Sequence, residues 1–144
     1  MKTDYAFWDT SAIVPLCCRQ DASQQLRQLR RSYKPVVSCI TEAEAASALN
    51  RLRRENALTT DGYDLARRKL EIQKQAWREI LFSDKLRELA KEAIELYDLR
   101  TLDALQFASG LIWCWEKPRG RVYVCSDARL RQAAQNAGFI VVPV

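Results

Sequence analysis

The stretch Tyr5-Ala6-Phe7-Trp8-Asp9-Thr10-Ser11 decides the fold that we expect for this chain. Four apolar residues run directly into a carboxylate, and two hydroxyl side chains follow it. This order predicts a buried strand that ends at Asp9, with a helix beginning at about Ala12. In open parallel α/β sheets, ligands bind at the carboxyl ends of the strands. The stretch therefore places the Asp9 carboxylate where ligand chemistry is expected.

The composition indicates one folded domain, residues 1–144, and excludes some classes of catalytic and metal site. Hydrophobic residues make up 48% of the 144, and only four Gly and four Pro are present, unlike a disordered chain. The net charge of +5 slightly favours a polyanionic partner such as nucleic acid. Because the sequence contains no His, it excludes His general bases and His-containing zinc sites.

The cysteines and the apolar runs predict where the protein resides. The five Cys form no CxxC pair and their number is odd, so we expect reduced, buried thiols rather than disulfides. No stretch approaches the ~20 consecutive apolar residues of a membrane-spanning helix. The first five residues lack the apolar core of a signal peptide. We therefore expect a soluble, cytoplasmic protein.

Strand and helix patterns alternate along the chain. Beyond the first strand, strands are predicted at residues 36–40, 79–82, 122–125 and 139–142, although residues 79–82 could equally extend the preceding helix. Helices are predicted at residues 12–18, 22–31, 41–55, 59–77, 83–97 and 101–115, with a last helix that Gly138 ends. Strands separated by one or two helices are parallel, and their crossovers are right-handed. The expected fold is an α/β/α sandwich of three layers around a roughly five-stranded parallel sheet.

Four of the eighteen acidic residues differ from the rest in their position. Asp9 and Asp127 directly follow predicted strands, whereas Glu44 and Asp103 lie in the first turns of predicted helices. A parallel sheet would bring Asp9, Glu44 and Asp127 to one edge, and Asp103 would join them if its helix begins at that edge. Carboxylates that cluster without Lys or Arg repel one another, so such a cluster implies a neutralising cation. Oxygen-only coordination suits Mg²⁺ or Mn²⁺.

Each of these acids also has an ordinary structural explanation. Thr41-x-x-Glu44 has the spacing of a capping box. Asp103 would favour the positive end of its helix, Asp127 would serve as an N-cap, and Asp9 would close an Asx-type turn.

Glu42 is an alternative to Glu44 for the site. The two residues are two positions apart, which is about 200° around a helix, so only one of them can face the site. We prefer Glu44, and the choice between them stays open at the level of sequence.

Four sequence blocks resemble those of PIN-domain ribonucleases, and the most similar type is VapC, the toxin of type II toxin–antitoxin pairs. The blocks follow one another in order over essentially the whole chain. They are Phe7-Trp8-Asp9-Thr10-Ser11-Ala12, Ser38-x-Ile40-Thr41-x-x-Glu44, Leu99-Arg100-Thr101-Leu102-Asp103-Ala104-Leu105-x-x-Ala108 and Val124-x-Ser126-Asp127-x-x-Leu130. One departure is Gln106, where the family often has His, but this position lies outside the acidic set.

The resemblance implies a Mg²⁺- or Mn²⁺-dependent endoribonuclease that hydrolyses RNA with metal-activated water. It also implies a cognate antitoxin that silences the enzyme, and a homodimer. Carried over by position, the catalytic and metal-binding acids would be Asp9, Glu44, Asp103 and Asp127. The supporting small polar residues would be Thr10, Ser11 and Ser126.

Two features leave alternatives open. A set of basic residues on the long helices could bind RNA phosphates, although a solvated helix face explains them equally well. These residues are Arg51, Arg53, Arg54, Arg67 and Arg68. The alternative function is a catalytically inactive PIN scaffold that binds RNA or a protein partner. Such a scaffold would be expected to have lost one or more of the four acids.

Overall fold

The computed structural model describes residues 4–143, which form one five-stranded sheet and seven helices. The strands are β1 (Asp4–Trp8), β2 (Tyr33–Ser38), β3 (Arg78–Ile80), β4 (Val122–Cys125) and β5 (Ile140–Pro143). The helices are α1 (Thr10–Cys17), α2 (Ser23–Ser32), α3 (Thr41–Arg54), α4 (Thr60–Ala76), α5 (Asp84–Tyr97), α6 (Thr101–Trp113) and α7 (Ala128–Ala137).

The sheet is parallel throughout and has the strand order β3-β2-β1-β4-β5. The chain builds outward from β1 to β3 on one side and then returns to add β4 and β5 on the other. Phe7 in the central strand pairs with Val36 of β2 and with Tyr123 of β4. The strand order therefore reverses direction between β1 and β4, where open α/β sheets form their ligand-binding crevice.

Helices cover both faces of the sheet, so the predicted α/β/α sandwich is confirmed. Successive strand residues point to opposite faces. Phe7 and Tyr123 pack under α5, α6 and α7, whereas Trp8, Val37 and Val124 pack under the layer formed by α1 to α4. Because both faces are buried, the central strands are almost continuously apolar. This explains the run of apolar residues that leads into Asp9.

The second and third strands differ from their predicted bounds. β2 spans Tyr33–Ser38 rather than residues 36–40, so Pro35 lies within it. β3 is only three residues long and begins opposite Val36. At Pro35, β2 is therefore still an edge strand, where a residue without an N–H is tolerated. Residues 81 and 82 were predicted to extend β3, but both lie outside the sheet and are more than half exposed.

The long apolar helix α6 ends at Trp113 rather than at Trp115. Trp115 and Glu116 have φ angles of 57° and 58°, in the left-handed region that ends a right-handed helix. Trp115 is consequently 83% exposed. Within residues 4–143, the helices lack the combination of length and apolar character that crossing a membrane would need.

Candidate active site

All four acidic residues singled out from the sequence line one open cavity of about 800 Å³ at the carboxyl edge of the sheet. Asp9 follows β1 as the N-cap of α1, and Asp127 follows β4 as the N-cap of α7. Glu44 lies in the first turn of α3, and Asp103 lies in the first turn of α6. Helices that begin at the same sheet edge thus bring together side chains that are far apart in the sequence.

Asp9 is held at the bottom of this cavity with only 6% of its surface exposed. The backbone N–H and the hydroxyl of Ser11 both donate hydrogen bonds to Asp9 Oδ2. The pKa of Asp9 is raised to about 6, chiefly by burial and in smaller part by the charge of Glu44, against the opposing effect of the Ser11 hydrogen bonds. The Asx-type turn inferred from the sequence is present, and it uses only one of the two carboxylate oxygens.

Glu44 is oriented by two donors that come from other elements. Thr10 Oγ1 donates to Glu44 Oε1 at 2.8 Å, and Gln106 Nε2 donates to the same oxygen at 2.7 Å. The capping box considered from the sequence does not form, because α3 has no side-chain cap and Ile40 occupies the N-cap position. Glu44 Oε2 accepts no hydrogen bond from the described residues.

Asp103 and Asp127 face each other closely enough to interact electrostatically. Burial raises the pKa of Asp103, and the negative charges of Asp127 and Glu44 add to the rise. Arg100 and Arg129 oppose it with their positive charges. Asp127 Oδ1 accepts a hydrogen bond from the N–H of residue 130 at 2.8 Å, so the predicted N-cap role is also correct.

The structure separates Glu42 from Glu44. Glu42 turns toward α4, where Lys74 Nζ approaches its Oε1 to 2.7 Å. Glu44 faces the acidic cavity instead. In the part of the chain that the structure describes, none of the four cavity acids forms an ion pair with Lys or Arg. Their negative charge is therefore not neutralised by a direct ion pair, although Arg100 and Arg129 partly offset it at Asp103.

The three supporting residues named from the sequence all lie at this cavity. Thr10 and Ser11 donate to the carboxylates of Glu44 and Asp9, respectively. The backbone N–H of Ser126 donates to Ser11 Oγ at 3.1 Å. This bond links the end of β4 to the end of β1, and so ties the two strand ends that carry Asp127 and Asp9.

The donor chemistry of the cavity fits a hard divalent cation. Among residues 4–143, no three acidic or Cys side chains are close enough together to hold an ion as they stand. Each of the four acids nevertheless keeps at least one oxygen that accepts no side-chain hydrogen bond from the described residues. To share an ion, the carboxylates must move closer together.

Of the five basic residues predicted to bind RNA, only one lines the acidic cavity. Arg51 lines the acidic cavity. Arg53 and Arg67 instead pack against the ring of Tyr63, with their guanidinium carbons 4.5 and 5.7 Å from its centroid. The other two do not line the cavity: Arg54 and Arg68.

Three residues that the sequence analysis did not assign to the site act on its acids. Arg100 and Arg129 influence Asp103 through their charge, and Gln106 binds Glu44 directly. Each lies within three positions of a predicted site acid, and Gln106 is at the i+3 position from Asp103 on a helix. That spacing places neighbours on one helix face and was the available signal.

The sequence of the chain matches the family model of the PIN domain over residues 6–135. The chain belongs to the PIN domain family. The expectation drawn from the four sequence blocks is thus confirmed at the level of the family. A search of curated proteins gives no match.

Solved structures of similar fold cover nearly all of this PIN domain. The protein PAE2754 from Pyrobaculum aerophilum is 23% identical with a TM-score of 0.66, and the match covers 97% of this chain and 90% of that one. VapBC2 from Rickettsia felis, bound to a promoter DNA fragment, is 16% identical with a TM-score of 0.64 and coverages of 96% and 98%. A toxin–antitoxin complex from Klebsiella pneumoniae is 15% identical with a TM-score of 0.62 and coverages of 85% and 86%. At these identities, the likeness shows the shared fold.

Proposed function

We propose that residues 1–144 act as a single PIN domain that is a VapC-type, Mg²⁺- or Mn²⁺-dependent endoribonuclease, the toxin of a toxin–antitoxin pair. The observation that carries the proposal is the group of four carboxylates in one cavity, none of them paired with a cation among residues 4–143. PIN domains are generally nucleases. Two structures of similar fold are described as a toxin–antitoxin complex and as VapBC2, which supports an antitoxin partner.

The cavity residues would have different roles in such an enzyme. Asp9 and Asp103 would be the tightest cation ligands, because burial makes their unneutralised charge the most costly. Glu44 and Asp127 would complete the site or orient water. A bound divalent cation supplies an activated water near neutral pH and neutralises charge on the phosphate. Thr10 and Ser11 hold the carboxylates in place through their hydrogen bonds.

The basic residues around the cavity are suited to hold the RNA backbone. Arg51 lines the cavity from α3, while Arg100 and Arg129 lie near Asp103 at the starts of α6 and α7. A phosphodiester that reaches the carboxylates would therefore meet positive charge on two sides, which positions RNA without reading its sequence. The enzyme would act in the cytoplasm as a homodimer, and a cognate antitoxin would silence it.

The direct test is RNA cleavage by purified protein in Mg²⁺, with and without EDTA. Asp9→Asn and Asp103→Asn should each reduce cleavage to the level seen in EDTA, because the cation would lose a buried ligand. Glu42→Gln is the matched control, since Glu42 lies on the same helix as Glu44 but pairs with Lys74. Its cleavage rate should equal that of the wild type. Near wild-type cleavage by both Asn variants would defeat the proposal.

The alternative is a PIN scaffold that binds RNA or a partner without cleaving it. The presence of all four acids in one cavity argues against it, because an inactive scaffold has no need to keep them together. The same assay separates the two functions. A scaffold would retain RNA in a filter-binding measurement and leave it intact at every Mg²⁺ or Mn²⁺ concentration.

A further inference from the structure

Gln106 is a buried amide that is bonded to residues on the wall of the carboxylate site. It lies on α6 one turn after Asp103, and only 1% of its surface is exposed. Its Nε2 is 2.7 Å from Glu44 Oε1, 2.8 Å from Thr10 Oγ1 and 3.1 Å from Thr41 Oγ1. One amide group thus connects α6 with α1 and α3. Asp9 caps α1, Glu44 lies in α3 and Asp103 lies in α6, so these helices position three of the four acids.

The chemistry of the contacts fixes which end of the amide faces Glu44. A carboxylate oxygen only accepts hydrogen bonds, so the end of Gln106 that faces it must be the donating NH₂. Turning the amide over would place its carbonyl oxygen against a second acceptor. Thr10 already gives its hydroxyl hydrogen to Glu44, which leaves Thr10 Oγ1 free to accept from Gln106. The three groups therefore form a closed and consistent network.

The other end of the same side chain indicates what this arrangement serves. Gln106 Oε1 is buried and has no hydrogen-bond partner among residues 4–143. A buried glutamine whose role is only to join helices would be expected to satisfy both ends of its amide. Here the side chain is held by its donors alone, and two of the acceptors, Glu44 and Thr10, lie on the wall of the acidic site.

Gln106 differs from a basic residue in an important respect. Its N–H groups stabilise the carboxylate of Glu44 without adding positive charge, so the cavity keeps its full negative charge for a cation. Because Glu44 Oε1 receives both donors, Oε2 is the oxygen that remains for a ligand. An unrestrained glutamate would have to be ordered at the moment of binding, which weakens affinity.

We propose that Gln106 is a positioning residue, whose amide fixes Glu44 Oε1 so that Oε2 is presented to a divalent cation in the cavity. This inference rests on the proposed cation-dependent function of the same site. It assigns a role to a residue outside the acidic quartet, at a position where the sequence departs from the common His.

The test is a Mn²⁺ titration followed by thermal melting of the RNA-free protein, with melting in EDTA measured beside it. Gln106→Met keeps the length and apolar volume of the side chain but removes the donors. We expect its midpoint Mn²⁺ concentration to rise about tenfold or more over that of the wild type, the usual effect of removing a residue that orients a metal ligand. Gln106→Asn keeps the amide but is one methylene too short to reach Glu44. It should show the same rise, and it tests the proposal if the Met variant does not fold.

Ser109→Ala is the matched control for structural damage. Ser109 lies one turn further along α6, is fully buried and shares a hydrogen bond with Ser38 Oγ at 2.9 Å, so it joins α6 to β2 without touching an acid. Its melting temperature in EDTA should fall while its Mn²⁺ midpoint stays at the wild-type value. If the Gln106 variants follow this pattern, the positioning role is overturned. A wild type that shows no saturable response to Mn²⁺ would instead overturn the cation site itself.

Discussion

Replacing Asp9 with Asn should make the cation-free protein more stable at neutral pH, although it should abolish cleavage. Burial raises the pKa of Asp9 to about 6 in the folded protein, against an ordinary value of 3.8. The folded state therefore binds the proton more tightly than the unfolded state does. The associated stability is fully present below pH 3.8 and is lost as the pH rises through 6. Asparagine is uncharged, so the variant does not lose this part of the free energy of unfolding as the pH rises.

The size of the effect follows from the shift in pKa. A rise of about two units corresponds to roughly 3 kcal/mol of unfolding free energy at pH 7.5. Asparagine keeps an oxygen that can accept from Ser11, but as a neutral acceptor it is bound less strongly than the carboxylate. We therefore expect a net gain of about 1–3 kcal/mol. In a domain of this size, each kcal/mol raises the melting temperature by about 3 °C.

The assay is thermal or urea unfolding of both proteins in EDTA between pH 4 and pH 8. The stability gap should be largest above pH 7, fall to roughly half near pH 5 and to about a fifth near pH 4, where Asp9 is protonated in the folded state but still more than half ionised in the unfolded state. Adding Mn²⁺ should reverse the order, because the ion neutralises the buried charge of the wild type alone. An Asn variant less stable than the wild type at pH 7.5, or a gap independent of pH, would refute the reasoning.

Three further predictions concern the scaffold and the substrate. Gly110→Ala should destabilise the fold by about 1–3 kcal/mol in urea unfolding, because its Cβ would lie 2.9 Å from Tyr123 Cε2, in a fully buried ring. Unchanged stability would show that this contact is not tight. Ser83→Ala should lower the free energy of unfolding by about 1 kcal/mol, because the Ser83 hydroxyl accepts from the N–H of Leu86 at 3.1 Å and caps α5. An unchanged urea midpoint would contradict this prediction. Arg51→Ala should weaken RNA binding and reduce the slope of log Kd against log salt by about one. A slope equal to that of the wild type would exclude a phosphate contact.

The sequence was informative where topology alone sets position. Asp9 and Asp127 directly follow apolar strands, and parallel strands end at one edge of a sheet whatever their side chains do. Their proximity could therefore be predicted without knowing a single contact. The strand pattern of β1 was equally readable, because Phe7 and Trp8 face opposite layers and both must be apolar. Burial on both faces leaves little freedom in such a strand.

Contacts between distant residues could not be read from the sequence. Gln106 and Thr10 are 96 positions apart, and no local pattern records that α6 and α1 place them 2.8 Å from each other. The predicted bounds of β2 were wrong for a related reason. The short strand β3 pairs with β2 only from Val36 onward. Pro35 is tolerated because it lies before that pairing, where β2 is still an edge strand. Both outcomes depend on a partner rather than on the residue itself.

Among residues 4–143, the buried polar side-chain atoms without a hydrogen-bond partner belong to residues that neighbour or interact with the acids of the cavity, although none of these residues lines it. In the described part of the chain, the buried side-chain polar atoms without a hydrogen-bond partner are those of Trp8, Gln106 and Tyr123. Trp8 precedes Asp9, Gln106 binds Glu44, and the charges of both acids raise the pKa of Tyr123, after the larger effect of burial. A fold selected only for stability would satisfy such atoms anywhere. Gln106 is the clearest case, because its NH₂ group binds Glu44 and Thr10 while its Oε1 has no partner among residues 4–143.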